Sequence, residues 1–173
     1  EQPFHLSGGK RVDVPLMSRK GRMPLGFVAG GQLVALPYGK NGRARMLVAL
    51  PRPDQDIADF QKTVTPTALA SARRKLRPQK ARLFLPRFKT GSRFDLGRTL
   101  QSLGMRKAFV PSADFTGITP EGIFIDKVIH KTFVDVKEAG TEAAAATAVV
   151  MTKRGLSRKQ VFRADRPFLY FIE

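Results

Sequence analysis

His5 and His130 are the two imidazoles of this chain, and it has no cysteine. A nucleophilic triad would need one of them as its base, yet no Gly-x-Ser-x-Gly elbow or other nucleophile motif accompanies either. The same counts remove disulfides, thiolate chemistry, Cys-ligated zinc, iron–sulfur centres and a three-histidine zinc site. Phosphate-cradling Gly-rich loops and carboxylate-rich metal loops are absent from the sequence as well. His130 stands between Ile129 and Lys131 in an apolar run, the setting of a structural core or hydrogen-bonding residue rather than a base. No catalytic residue, metal ligand or cofactor is assigned, and the chain reads as a non-enzyme.

Charge is the remaining chemical resource. The 31 Lys+Arg against 14 Asp+Glu give a formal net charge of +17 over 173 residues. With 42% hydrophobic residues and 13 Phe this is a globular chain rather than a disordered polycation. Arg73, Arg74, Lys75, Arg77, Lys80 and Arg82 form a cluster that reads as the last turn and exit of a helix. Cations there complement the helix dipole and need no partner. The same cluster would equally serve a glycan or nucleic acid, with affinity falling steeply as salt rises. No apolar run approaches the length of a membrane span.

The elements that must position these residues are mostly strands. From Arg11 to Leu50 short apolar bursts alternate with Gly8-Gly9, Lys20-Gly21, Gly30-Gly31 and Gly39 to Gly42, the pattern of an antiparallel meander with turns at those glycines. Asp54 to Gln61 suits one short helix. Thr65-Pro66 is an N-cap followed by proline at the first helical position, opening a helix that runs to Pro78. Ala81 to Phe88 alternates as a strand, Phe94 to Leu103 is a short helix closed by Gly104, and Gly122 to Glu138 carries the strongest strand signal. Phe162 to Ile172 reads as a buried strand. Gly140 to Val150 is anomalous: propensity would make it a helix capped by Thr141, yet it has no amphipathic stripe.

That anomaly carries a resemblance. Glu138-Ala139-Gly140-Thr141-Glu142-Ala143-Ala144-Ala145-Ala146-Thr147-Ala148 resembles the hinge of the serpin reactive-centre loop. Phe162 to Ile172, with Pro167 and Phe168 at its centre, matches the serpin signature. Leu85-Pro86-Arg87-Phe88-Lys89, Ala113-Asp114-Phe115-Thr116-Gly117-Ile118, Val128-Ile129-His130-Lys131 and Met46-Leu47-Val48-Ala49-Leu50-Pro51 stand in serpin order.

The resemblance implies an α+β serpin fold, mostly β in this C-terminal portion. Residues 1–50 would be strands of sheets C and B, 54–78 two short helices, 81–138 strands of sheets C and A with a short helix, 139–160 the exposed loop and 161–173 the C-terminal strands. It also implies a chain under half the length of a serpin, so that Glu1 is an internal residue of a fragment, a truncated gene or one piece of a longer, monomeric parent.

It implies, further, a suicide-substrate inhibitor of a trypsin-like serine protease, secreted as most serpins are. Counting along the loop as the family does puts the attacked bond at Arg154-Gly155, with Lys153 as the alternative residue. After cleavage the loop would add as a strand to sheet A. With a period of two, Thr141, Ala143, Ala145 and Thr147 face the core while Glu142, Ala144, Ala146 and Ala148 face outward. The inward set is small and uncharged, as insertion requires, and Gly140 gives backbone freedom where the turn into the sheet begins. The basic cluster resembles the helix by which a heparin-binding family member holds its glycan, so a heparin-like activator is one implied partner. A polyanion-binding module with an incidental loop, or a non-inhibitory truncated serpin, remain the alternatives.

Overall fold

The computed structural model describes residues 1–38, 44–137 and 160–173. These divide into two compact units, residues 1–88 with 136–173, and residues 89–135.

In the first unit, β1 (Gln2–His5) and β2 (Arg11–Val14) form a hairpin closed through Gly8 and Gly9, both at positive φ. Pro15 follows, and β3 (Leu16–Val28) runs for 13 residues. It pairs with β6 (Arg77–Pro86) over Leu16 to Leu25 and with β4 (Gly31–Tyr38) over Leu25 to Val28. The turn expected at Lys20-Gly21 is therefore mid-strand, and Gly21 lies opposite Ala81. The true turn is Ala29-Gly30, where φ is 48° and 82°, the two-residue geometry that matches strand twist.

β4 pairs with β5 (Ala44–Leu50), and the C-terminal stretch supplies both edges of the sheet. β9 (Gln160–Arg163) lies parallel to β6, and β10 (Leu169–Ile172) lies antiparallel to β5. Phe162 to Ile172 is thus two strands on opposite edges rather than one. Pro167 stands in the break, and the bend is tied by Arg166 donating to Pro51 O at 2.7 Å and by Asp165 O accepting from His5 N at 2.8 Å. Phe88, just past β6, meets Phe168 and Tyr170 at ring-centroid distances of 5.7 and 5.4 Å.

α1 (Ile57–Thr63) and α2 (Pro66–Lys75) cover one face. Both starts are capped, Thr65 as its sequence predicts: Thr65 accepts from Ala68 N at 3.2 Å, and Asp56 from Ala58 N at 2.7 Å. Beneath them Val28, Leu33, Ala35, Leu47, Ala49, Phe60 and Ala72 make a buried cluster. Leu25, Val34, Met46, Val48, Leu83 and Phe162 point to the opposite face and are also buried.

In the second unit, β7 (Phe88–Asp95) and β8 (Ile129–Val136) pair as a two-stranded sheet around α3 (Gly97–Ser102) and a 3-10 turn at Lys107–Phe109. α3 begins later than the Phe94 expected because Phe94 and Asp95 continue β7; Asp95 then accepts from Gly97 N at 3.0 Å. The strand expected from Gly122 begins only at Ile129. Strand propensity needs a partner, and the preceding residues bond elsewhere: Ile125 N donates to Ala108 O at 2.9 Å. His130 lies exposed on β8.

Candidate functional site

The hinge residues Glu138, Gly140, Thr141, Glu142, Ala143, Ala144, Ala145, Ala146 and Thr147, and the bond residues Lys153, Arg154 and Gly155, lie outside the described residues. What the structure does define is the strand that receives the chain after them. β9 joins β6 through four parallel pairs from Ala81↔Gln160 to Phe84↔Arg163. Its side chains divide by alternation. Phe162 is fully buried, whereas Val161 is 49% exposed. The ladder continues one residue past the strand, with Ala164 N donating to Phe84 O at 2.9 Å. The Arg82 and Arg163 guanidinium carbons lie 4.6 and 4.7 Å from the centroid of the Phe84 ring, so two cations share one aromatic side chain. Arg163 also pairs with Asp165 at 3.2 Å and donates to Gln2 on β1.

The basic cluster falls on the last turn of a helix and its exit, the placement read from the sequence. α2 ends at Lys75, so Arg73, Arg74 and Lys75 occupy its last turn while Arg77, Lys80 and Arg82 belong to β6. Besides Arg82, stacked on Phe84, two more of the six are engaged. Arg73 is salt-bridged to Glu173 at 2.6 Å, and Arg45 binds the other oxygen of that carboxylate. Arg77 folds back onto the open carbonyls of the helix end, Arg74 O at 3.1 Å and Leu76 O at 3.0 Å. Burial works to raise the Glu173 pKa, but the hydrogen bonds and charges of Arg73 and Arg45 together outweigh it and hold the carboxyl below its ordinary value.

The sequence reading missed two cations. The β3–β6 register sets Lys20 opposite Arg82 and Arg22 opposite Lys80. All four are exposed, and Arg22 donates to Pro78 O at 3.4 Å across the ladder. The signal available was the run Arg19-Lys20-Gly21-Arg22, which glycine disguised as a turn. Among the described residues no group of His, Cys, Asp or Glu could hold a metal ion, and no helix is long and apolar enough to cross a membrane.

Comparison with known proteins places this architecture. The family model for serpins, serine protease inhibitors, matches residues 1–173, so the chain belongs to the serpin family. It is 41% identical to "Probable serpin E3" of Danio rerio over 98% of this chain and 42% of that protein. It is 36% identical to the leukocyte elastase inhibitor of Bos taurus over 99% of this chain and 48% of that protein. The structure of mouse protein-Z dependent protease inhibitor superposes with a TM-score of 0.73 at 25% identity, covering 99% of this chain and 44% of that one. The chain therefore spans less than half the length of the relatives it matches, and its fold is the corresponding mostly β portion of a serpin.

Proposed function

We propose that the full-length protein containing this chain inhibits a trypsin-like serine protease as a suicide substrate, and that the chain itself is not an enzyme. The observation that carries the reading is the small, uncharged inward set Thr141, Ala143, Ala145 and Thr147 within a chain of serpin fold. The protease serine attacks the carbonyl carbon of Arg154, the Gly155 amine leaves, and an acyl-enzyme forms. Arg154 suits a specificity pocket with a carboxylate floor. The freed hinge then adds as a strand to the central sheet, to which β7 and β8 belong, and carries the acylated protease away. From Gly140 to Arg154 is a span of about 50 Å at about 3.3 Å per residue.

Mixing the full-length protein with trypsin tests this directly. A covalent complex that survives SDS is the expected result, with Thr141→Arg giving cleavage but no complex. Cleavage of the unaltered protein without any complex refutes the inhibitor reading.

A second reading is favoured by the exposure of Arg74 and Lys75, for which no ion pair is found among the described residues. The basic region binds a heparin-like glycan that acts as an activator of the inhibitor, outside the cell. Retention on a heparin column above physiological salt supports it, and flow-through ends it.

A further inference from the structure

We propose that the recess between the β1–β2 hairpin, the β5–α1 connection and the bend from β9 to β10 binds a small organic cation, an apolar body that carries one ammonium group. The recess has a volume of about 590 Å³, the size of sites that hold drug-sized molecules.

Its three walls all belong to the first unit, and hydrogen bonds to backbone carbonyls tie them together. His5 N donates to Asp165 O at 2.8 Å, joining the hairpin to the bend. Arg166 donates to Pro51 O at 2.7 Å through Nη2 and at 3.2 Å through Nε, joining the bend to the exit of β5. Within the β5–α1 connection Gln55 N donates to Arg52 O at 3.1 Å, and Asp56 caps α1. Proline at 51, 53 and 167 fixes φ in two of the walls. A recess stitched in this way is formed before a ligand arrives, which lowers the ordering penalty of binding.

The lining selects a charge. In a chain of net charge +17, three of the 14 acidic residues, Asp54, Asp56 and Asp165, stand on this one recess. Asp165 is compensated by Arg163 and Arg166, at 3.2 and 3.0 Å. Among the described residues Arg166 is the one Lys or Arg of the lining, and it is already engaged by Asp165 and Pro51 O. Asp54 meets only Arg52, at 3.4 Å with both side chains more than half exposed, and Asp56 gives one oxygen to the Ala58 amide. Their charge therefore remains for a ligand, and these carboxylates do not converge as metal ligands do.

An independent observation calls for a hydrogen-bond donor. The side-chain oxygen of Gln55 is buried and, among the described residues, meets none. Native structures seldom leave such an atom unpaired. Gln55 stands in the chain between Asp54 and Asp56, and an ammonium group offers three N–H donors to these three acceptors. Leu6, Ile57 and the prolines supply apolar surface for the body of the molecule. An anion would face the carboxylates, and a neutral apolar molecule would leave the Gln55 oxygen without a donor.

Fluorescence titration of the full-length protein with monodansylcadaverine tests the site, since the dansyl group brightens on leaving water and its alkyl chain ends in an ammonium. Saturable binding is expected, with neutral N-butyl dansylamide about tenfold weaker and dansyl-aminohexanoate, which ends in a carboxylate, weaker still. Asp54→Asn should weaken the ammonium probe about fivefold and leave the neutral one unchanged. Gln55→Leu should weaken it about fivefold as well, without lowering the melting midpoint, because a buried unpaired oxygen is removed. Three results overturn the assignment: no saturable binding of monodansylcadaverine up to about 1 mM, the carboxylate probe binding as tightly as the ammonium one, or full affinity for the ammonium probe in the variant carrying both substitutions.

Discussion

Replacing Phe162 by Ala should release β9 from the sheet without unfolding the sheet. Phe162 is the side chain of β9 with no exposure, and it enters the core beside Leu83. Removing a buried benzyl group costs about 3–5 kcal/mol in transfer and cavity terms. Against this, β9 holds on through a four-residue parallel ladder, whose bonds contribute about 0.5–1.5 kcal/mol each before the entropy of ordering the strand is subtracted. The remaining side-chain anchor is Arg163, stacked on Phe84 and paired to Asp165, worth about 1 kcal/mol at a partly exposed site. The loss is therefore comparable to everything else that holds β9, and local detachment becomes the easier opening.

Native-state hydrogen exchange reads this. The Ala164 amide, which donates to Phe84 O, should lose most of its protection, while the β4 and β5 amides change far less. Equal loss of protection across β4, β5 and β9 would refute the reasoning, since Phe162 would then support the whole sheet. Unchanged protection at Ala164 would refute it too. On the proposed inhibitory function, the same variant in the full-length protein should form its covalent complex less efficiently than the unaltered protein.

Two further expectations concern the elements that place this strand. Gly31→Ala would set a Cβ 2.8 Å from the Phe60 ring and against the Leu50 carbonyl, so it should cost about 1–3 kcal/mol in urea unfolding; Phe60→Leu in the same chain should recover part of that cost, and strict additivity would contradict the clash. Glu173 has a folded-state pKa below its ordinary value of 4.5, so the stability it lends is fully present above that value and is lost as pH falls through the lower folded one. Glu173→Gln should accordingly be less stable at pH 7 and converge with the unaltered chain in acid; a gap that stays constant from pH 7 to pH 3 would show that the Arg45 and Arg73 pairing is not its source.

The parts of the fold legible from sequence are those set within a few residues. Thr65 caps its helix because a side-chain oxygen three positions ahead satisfies an open amide, an interaction complete in one turn of chain. The β3–β4–β5 meander was likewise readable from apolar bursts divided by glycines. The strand signal of Gly122 to Val128 failed because propensity cannot say whether a partner strand is at hand. Lys20-Gly21 failed because glycine in a strand and glycine in a turn look alike until register is known. The basic cluster was legible as a helix end and its exit, but the register that sets Lys80 and Arg82 of the exit strand against β3 was not.

By itself the sequence determined that this chain is serpin-like, and that Gly140 to Ala148 is a run of small residues with one charge. Those properties live in composition and short-range spacing. Tertiary structure alone decided that Phe162 and Phe171 lie on strands at opposite edges of one sheet, that Glu173 neutralises Arg73, and that Lys20 stands against Arg82. Each joins segments far apart in the chain, and the register that joins them is set by which side chains fill a shared core, a property no local window contains.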